Sequence, residues 1–115
     1  MTISIDREAI DADFIKIKQR VYRQFKKNPD LDAILFLIGI REAGLLPGKF
    51  KKEEKQDLMH IAVCRLLSEE GFYELEGLDK DGWPHWVAVK SVPKLSAEEQ
   101  EYLLKKQIIR YFEHL

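Results

Sequence analysis

Residues 31–40 constrain the fold most, because eight of the ten are apolar and they point in nearly every direction around a helix axis. A helix of this kind is expected to be central and buried. The alternative is a buried strand over residues 34–40, which the β-branched and aromatic side chains there also favour. Asn28 as N-cap, a proline at the first helical position and Gly44 as the stop favour a helix over residues 29–43.

Two neighbouring segments also have helical periodicity. A first helix is predicted from about residue 6 to residue 27. Its apolar positions recur every three or four residues, at Ile10, Phe14, Ile17, Val21 and Phe25. A third helix is predicted over residues 51–70, ending at Gly71, with more than half of its circumference apolar beyond its charged first turns.

Between residues 72 and 89 the pattern changes from helical to extended. Residues 72–76 and 86–89 are rich in aromatic and β-branched side chains, and the Asp-Lys-Asp-Gly segment at 79–82 is typical of a hairpin turn. Pro84 cannot donate to a strand ladder, so its strand is expected to be an edge or to begin after it. Because a two-stranded hairpin is marginal alone, we expect it to pack on the helices.

Ser96 and Glu99 predict the start of the last helix, because they form the capping-box pattern S-x-x-E. The apolar face predicted for this helix consists of Leu104, Ile108, Tyr111, Phe112 and Leu115. The sequence therefore predicts an α+β fold, mostly helical, with the order α-α-α-β-β-α and the hairpin between the third and fourth helices. At 115 residues without a long linker, residues 1–115 are expected to form one compact domain.

Composition excludes several classes of function. With 19 basic and 20 acidic residues the net charge is −1, so no overall field attracts nucleic acid or an anionic membrane. A single cysteine excludes an intramolecular disulfide and a CxxC metal site. The signatures GxxxxGK(S/T), GxGxxG, GxSxG and HExxH do not occur. We therefore expect a cytoplasmic protein that is not an enzyme, with no cofactor, no metal and no membrane contact.

One group of polar residues shares a face of the third helix. Asp57, His60 and Cys64 occupy positions i, i+3 and i+7, which would suit an acid, a base and a nucleophile. They also resemble a partial metal site, with His85 or His114 as a missing ligand. Cysteines are usually activated near a helix N-terminus, whereas Cys64 lies in the second half of its helix. We therefore expect Cys64 in the core, His60 at its border and Asp57 in solvent.

A basic stripe is predicted along one face of the first helix. Its members are Lys16, Arg20, Arg23 and Lys27. Residues 1–55 carry 12 bases and 9 acids, whereas residues 56–115 carry 7 bases and 11 acids. The stripe could contact phosphates or an acidic partner, and it could equally be a solvated helix face.

Both tryptophans of the chain fall within residues 83–86. Strand alternation places Trp83 and His85 on one face and Trp86 on the other. We expect one tryptophan to pack on the helices and the other to be partly exposed, where it could anchor a partner.

Residues 66–89 resemble the end of a recognition helix followed by a wing, and residues 95–99 resemble the start of the return helix in MarR-like regulators. The resemblance implies a winged-helix topology and DNA binding. The pattern departs from that family where DNA would be read, since a helix-turn-helix needs two short helices joined by a tight turn. Here one long helix follows a Pro-Gly loop, and its first turns carry three acids.

The function expected from the sequence is that of a small interaction or adaptor domain that self-associates. Two helices are apolar over most of their circumference, and surplus apolar surface commonly becomes a two-fold interface. The candidate interface residues are Tyr73, Trp83, Trp86, Tyr102 and Ile109. The alternative is a winged-helix-like nucleic-acid-binding or regulatory protein that uses the basic stripe.

Overall fold

A computed structural model describes residues 6–25, 29–46 and 48–115. Its elements are the helices α1 (Arg7–Phe25), α2 (Leu31–Glu42), α3 (Lys52–Ser68) and α4 (Ala97–Glu113) and the strands β1 (Tyr73–Leu78) and β2 (Pro84–Ala88). The predicted α+β class, the order α-α-α-β-β-α and the hairpin before the last helix are confirmed. The chain divides into two compact units, one formed by residues up to Asp30 and from Val92 onward, the other by Leu31–Ser91.

In the first unit, α1 and α4 lie side by side and run in the same direction. The Arg7 guanidinium lies 2.6 Å from the Glu98 carboxylate, and further along the Tyr102 hydroxyl donates to Asp11 at 2.8 Å. The Lys105 ammonium lies over the ring of Phe14, 5.2 Å from its centre. Because these contacts advance together along both helices, the two helices are parallel.

The predicted faces of these helices are correct in α1 and partly wrong in α4. In α1, Ile10, Phe14 and Val21 are buried and Ile17 is half-buried, while the side chain of Phe25 lies outside the described residues. In α4 the buried residues are Leu103, Gln107 and Ile108, whereas Leu104, Tyr111 and Phe112 are half-buried and Leu115 is exposed. The buried stripe of α4 is therefore rotated toward Leu103 and includes a glutamine, which apolar spacing alone does not reveal.

The start of α4 follows the prediction in detail. The Ser96 hydroxyl accepts a hydrogen bond from the backbone N–H of Glu99, and the Glu99 carboxylate accepts one from the backbone N–H of Ser96, both at 3.1 Å. This reciprocal capping box satisfies two backbone donors that the first turn of a helix cannot pair internally.

In the second unit, the backbones of α2 and α3 approach each other closely at Gly39. A Cβ atom at Gly39 would lie 2.5 Å from the carbonyl carbon of Leu58, so only glycine fits. The core beside this contact comprises Ile40, Ala43, Leu58 and Ile61, with Phe36, Leu45, Phe50 and Trp83 packed against it. Residues 34–40 are helical rather than extended, and Ile34, Leu35 and Ile38 are buried as expected for a central helix.

The ends of α2 and α3 are set by two glycines with positive φ. The Leu45 N–H bonds to the Ile40 carbonyl around Gly44, and the Phe72 N–H bonds to the Leu67 carbonyl around Gly71. Both are Schellman-type endings, as predicted from the glycines. The predicted start of α2 is wrong, because the helix begins at Leu31 rather than at Pro29, and Asn28 and Pro47 lie outside the described residues.

The strands β1 and β2 are antiparallel and reach closer to the turn than predicted. The register pairs Tyr73 with Ala88 and Leu75 with Trp86, and after an irregularity at Glu76 it pairs Leu78 with Pro84. The Asp79 N–H bonds to the Trp83 carbonyl at the turn, and the Val89 N–H bonds to the Phe72 carbonyl at the open end. Alternation between these two bonded ends leaves the nitrogen of Pro84 facing away from β1, so β2 can begin at this proline without losing a ladder bond.

Candidate functional site

A cleft of about 350 Å³ lies between α3 and the turn end of the hairpin. Its lining combines residues from two separate parts of the sequence: Asp57, His60, Ile61, Asp79, Trp83, Pro84, His85 and Trp86. The structure therefore unites the polar face predicted on α3 with the tryptophan segment of the hairpin. The sequence suggested such a link only for His85, as a candidate ligand beside His60, and not for the tryptophans.

The wall at the hairpin turn is organised by Asp79. One carboxylate oxygen accepts hydrogen bonds from the backbone N–H groups of Asp81 and Trp83, each at 2.9 Å. The other oxygen accepts a hydrogen bond from His85 Nε2 at 3.1 Å. The bond from the Trp83 backbone and that from His85 hold the pKa of the Asp79 carboxyl below its ordinary value, so this carboxylate stays charged.

The wall from α3 carries Asp57 and His60, which are both exposed. His60 Nε2 lies 3.5 Å from Sγ of Cys64, which is fully buried one turn further along. Burial raises the pKa of the Cys64 thiol to about 11, because the buried surroundings disfavour the thiolate. This placement supports a core role for Cys64, since a nucleophilic cysteine needs a lowered pKa and access to substrate.

The metal-site interpretation of the same residues finds no geometric support. In residues 6–25, 29–46 and 48–115, no three His, Cys, Asp or Glu side chains lie close enough together to hold a metal ion. His85 lines the same cleft as His60 but is bonded to Asp79. His114 lies at the end of α4, where its Nδ1–H donates to the Arg110 carbonyl at 2.7 Å.

The two tryptophans line the cleft together, although strand alternation separates their faces. Trp83 precedes β2 and packs against the core cluster of α2 and α3, while Trp86 lies within β2, opposite Leu75. Both are half-buried. The Trp86 Nε1 atom is buried and has no hydrogen-bond acceptor among the described residues.

The three other candidate interface residues are each half-buried. Tyr73 pairs with Ala88 and shares a hairpin face with Trp86. The Tyr102 hydroxyl is bonded to Asp11, and this bond raises the pKa of the tyrosine. Ile109 lies on α4, one position after the buried Ile108.

Sequence reasoning missed the exposed aliphatic side chains of the hairpin. The exposed aliphatic residues are Leu75 (53%) and Leu78 (66%) on the face that carries Trp86, and Val87 (42%) and Val89 (50%) on the opposite face. Residues 86–89 are apolar at every position, and alternation requires that half of such a run points away from the core. This apolar run was the feature of the sequence that could have predicted the exposed side chains.

The structure describes three of the four members of the basic stripe. The Lys16 ammonium lies 3.8 Å from the Asp13 carboxylate, and the Arg20 guanidinium lies over the ring of Phe112, 5.5 Å from its centre. Arg23 is exposed and borders a shallow hollow with the exposed side chains of Ile15 and Tyr22. Lys27 lies outside the described residues.

No protein-family model, curated protein or solved structure matches this chain, so function is inferred from its residues. Among the described residues, no helix combines the length and apolar character needed to cross a bilayer. The resemblance to MarR-like regulators stays a resemblance. Residues 43–51 separate α2 from α3, which is longer than the tight turn of a helix-turn-helix.

Proposed function

We propose that this protein is a non-enzymatic interaction domain that self-associates through its β-hairpin. The observation that carries the proposal is that Val87 and Val89 are exposed on one face of β2 and its end, while Leu75 and Leu78 are exposed on the opposite face of the hairpin. Exposed apolar residues clustered on one small element are typical of interaction surfaces, whereas isolated ones are common on any protein.

The edge of β2 suits a second copy of the same chain. Since Trp83 and Val89 are bonded to Asp79 and Phe72 at the two ends of β1, alternation turns the backbone groups of Trp86 and Ala88 away from β1. An antiparallel β2–β2 pairing centred on Val87 would place Trp86 of one copy opposite Ala88 of the other. In each such pair, the backbone N–H of Trp86 would donate to the C=O of Ala88 in the other copy, and the N–H of Ala88 would donate to the C=O of Trp86.

Charge also favours β2 over β1 as the shared edge. Residues 84–89 contain no Asp, Glu, Lys or Arg, so no like charges would meet across the two-fold axis. The strand β1 carries Glu74 and Glu76, which would oppose glutamates of the second copy in a β1–β1 pairing.

Light scattering coupled to size exclusion tests the proposal. We expect a mass near twice 13.5 kDa for the unchanged protein and a monomer for Val87→Lys, because two lysines would meet at the centre of the interface. Glu74→Lys is the matched control, since Glu74 is the cross-strand partner of Val87 but lies on the other strand. A monomeric unchanged protein, or a Val87→Lys variant that remains dimeric, contradicts the proposal.

The alternative function, nucleic-acid binding through the basic stripe, has one supporting observation. Arg23 is exposed beside Tyr22, and aromatic residues next to bases are typical of surfaces that bind single strands. The other bases are partly engaged, since Lys16 faces Asp13 and Arg20 stacks on a ring of α4. Retardation of labelled DNA or RNA that disappears in Arg23→Glu would favour this alternative, and no retardation would remove it.

A further inference from the structure

We propose that the cleft between α3 and the hairpin binds an alkylated ammonium group, as found on choline-like molecules and on trimethylated lysine. The inference rests on the lining of this cleft, which brings two tryptophans and two aspartates to one space of about 350 Å³. It does not require self-association, because the side chains that line the cleft belong to one copy of the chain, although Trp86 also lies on the strand proposed to pair.

The sign of the ligand charge follows from the side chains around the cleft. Asp57 and Asp79 contribute carboxylates, and no lysine or arginine is among the lining residues. The Asp79 carboxylate is fixed by two backbone N–H groups and by His85. His60 and His85 are the lining residues that can become positively charged, and His85 already faces Asp79, so the two carboxylates favour a cation over an anion such as a phosphate.

The side chains that line the cleft also indicate the chemical class of the cation. The described residues contain no three-membered group of metal-ligating side chains, so a bare metal ion lacks its ligands there. Trp83 and Trp86 instead supply aromatic surface, and indole rings attract cations through their electron-rich faces. Alkylated ammonium groups suit such a site because they lose little hydration when they contact an aromatic ring, in contrast to a primary ammonium group.

The size of the cleft agrees with a small ligand or a single side chain. Its volume lies at the lower end of the range of about 300–1,000 Å³ that is common for ligand pockets. Its lining is divided almost equally between polar and apolar surface, so aromatic side chains and groups that can orient a charge lie side by side.

Intrinsic fluorescence gives a direct test, because both tryptophans of the chain line the cleft. The full-length protein is titrated with choline chloride, with sodium chloride at equal concentration and with 3,3-dimethyl-1-butanol, the uncharged isostere of choline. We expect a saturable change in emission with choline alone. An equal response to the isostere would show a merely apolar cleft and overturn the proposal, as would the absence of a saturable response to choline.

Two variants locate the binding site. Asp57→Asn removes one exposed carboxylate from the lining and is expected to weaken choline binding about fivefold, the effect of losing one charge a few ångströms away in water. Glu53→Gln is the matched control, because Glu53 is an exposed carboxylate on the same helix but does not line the cleft. Equal affinities of these two variants would contradict the assignment of the site.

A peptide carrying trimethyllysine distinguishes the two sources of such a group. Tighter binding of this peptide than of its unmethylated form and of choline would support the site and identify a modified protein as the ligand. Tighter binding of choline would support the site and identify a small molecule. Equal binding of the methylated and unmethylated peptides, with choline silent, would overturn the proposal.

Discussion

At the scale of single residues, Gly39 lies directly against the backbone of a neighbouring helix. A methyl group there would press on the carbonyl group of Leu58 and also lie 3.0 Å from its Cα atom. Because the opposing atoms belong to the backbone, no side-chain rotation can relieve the contact, and α2 would have to move away from α3. The amino acid at this position therefore sets the distance between the two helices.

We expect Gly39→Ala to lower the free energy of unfolding by more than about 2 kcal/mol, as overpacking of a core commonly does. This loss outweighs the gain of up to about 1 kcal/mol that alanine normally brings to a helix. Gly48→Ala is the control, because no described atom lies within 4 Å of its added methyl group. Urea denaturation of both variants measures the difference, and equal stabilities would refute the steric explanation.

The Cys64 thiol is expected to react slowly in the native state. It is fully buried, and burial raises its pKa to about 11, so at neutral pH it is protonated and out of reach of a labelling reagent. Since the chain contains one cysteine, absorbance with a disulfide reagent follows this thiol alone. Labelling of the folded protein as fast as of the denatured protein would restore the nucleophile hypothesis.

At the scale of elements, local sequence accounts for the helix ends and for the hairpin turn. The glycines after α2 and α3 and the capping box of α4 act through neighbours within a few residues, and the structure has them as predicted. The buried face of α4 was predicted less well because burial depends on which helix lies beside it. Leu103 and Gln107 are buried, a choice that apolar spacing along α4 does not contain.

The capping box of α4 can be tested by substitution. Ser96→Ala is expected to lower the free energy of unfolding by about 1 kcal/mol, the usual effect of losing an N-cap hydroxyl. Ser91→Ala is the control, since Ser91 is an exposed loop residue that precedes no helix. Thermal unfolding followed by circular dichroism compares the two, and a larger loss in Ser91→Ala would contradict the role of the cap.

The hairpin turn is expected to weaken in acid because of Asp79. The pKa of this carboxyl is lowered in the folded protein, first by the Trp83 backbone N–H and then by His85. Its contribution is therefore complete above the ordinary carboxyl pKa and is lost as the pH falls through the lower pKa of the folded state.

Nuclear magnetic resonance of the Trp83 and Asp81 amides follows this titration. We expect both amides to shift together, with a midpoint below the ordinary range of aspartate, and the step to disappear in Asp79→Asn. A midpoint at or above the ordinary value would show that these hydrogen bonds do not favour the charged carboxylate.

At the scale of the whole molecule, the class and order of elements could be predicted from periodicity, whereas the candidate site could not. Asp57 and His85 were each noticed in the sequence, but their common cleft arises from packing the hairpin on α3. The outward faces of Val87 and Val89 were missed for the same reason, since alternation says that one face is exposed but not which one.

The salt dependence of assembly distinguishes self-association through β2 from nucleic-acid binding through the basic stripe. Pairing through β2 involves no charged side chain in residues 84–89, so the mass is expected to stay near that of a dimer at low and high salt. A nucleic-acid complex through the basic stripe would weaken steeply over the same range. Dissociation of the protein dimer on adding salt would contradict pairing through β2.

The contact between Gly39 and Leu58 also predicts which backbone amides exchange most slowly with solvent. Two backbones in direct contact leave no room for water between them, and Ile34, Ile38 and Leu58 beside them are almost completely shielded from solvent. Amide protons in such a place exchange with solvent through large openings of the structure, whereas those in frayed ends exchange through small ones. The slowest hydrogen exchange is therefore expected in the middle of α2 and in the facing turn of α3.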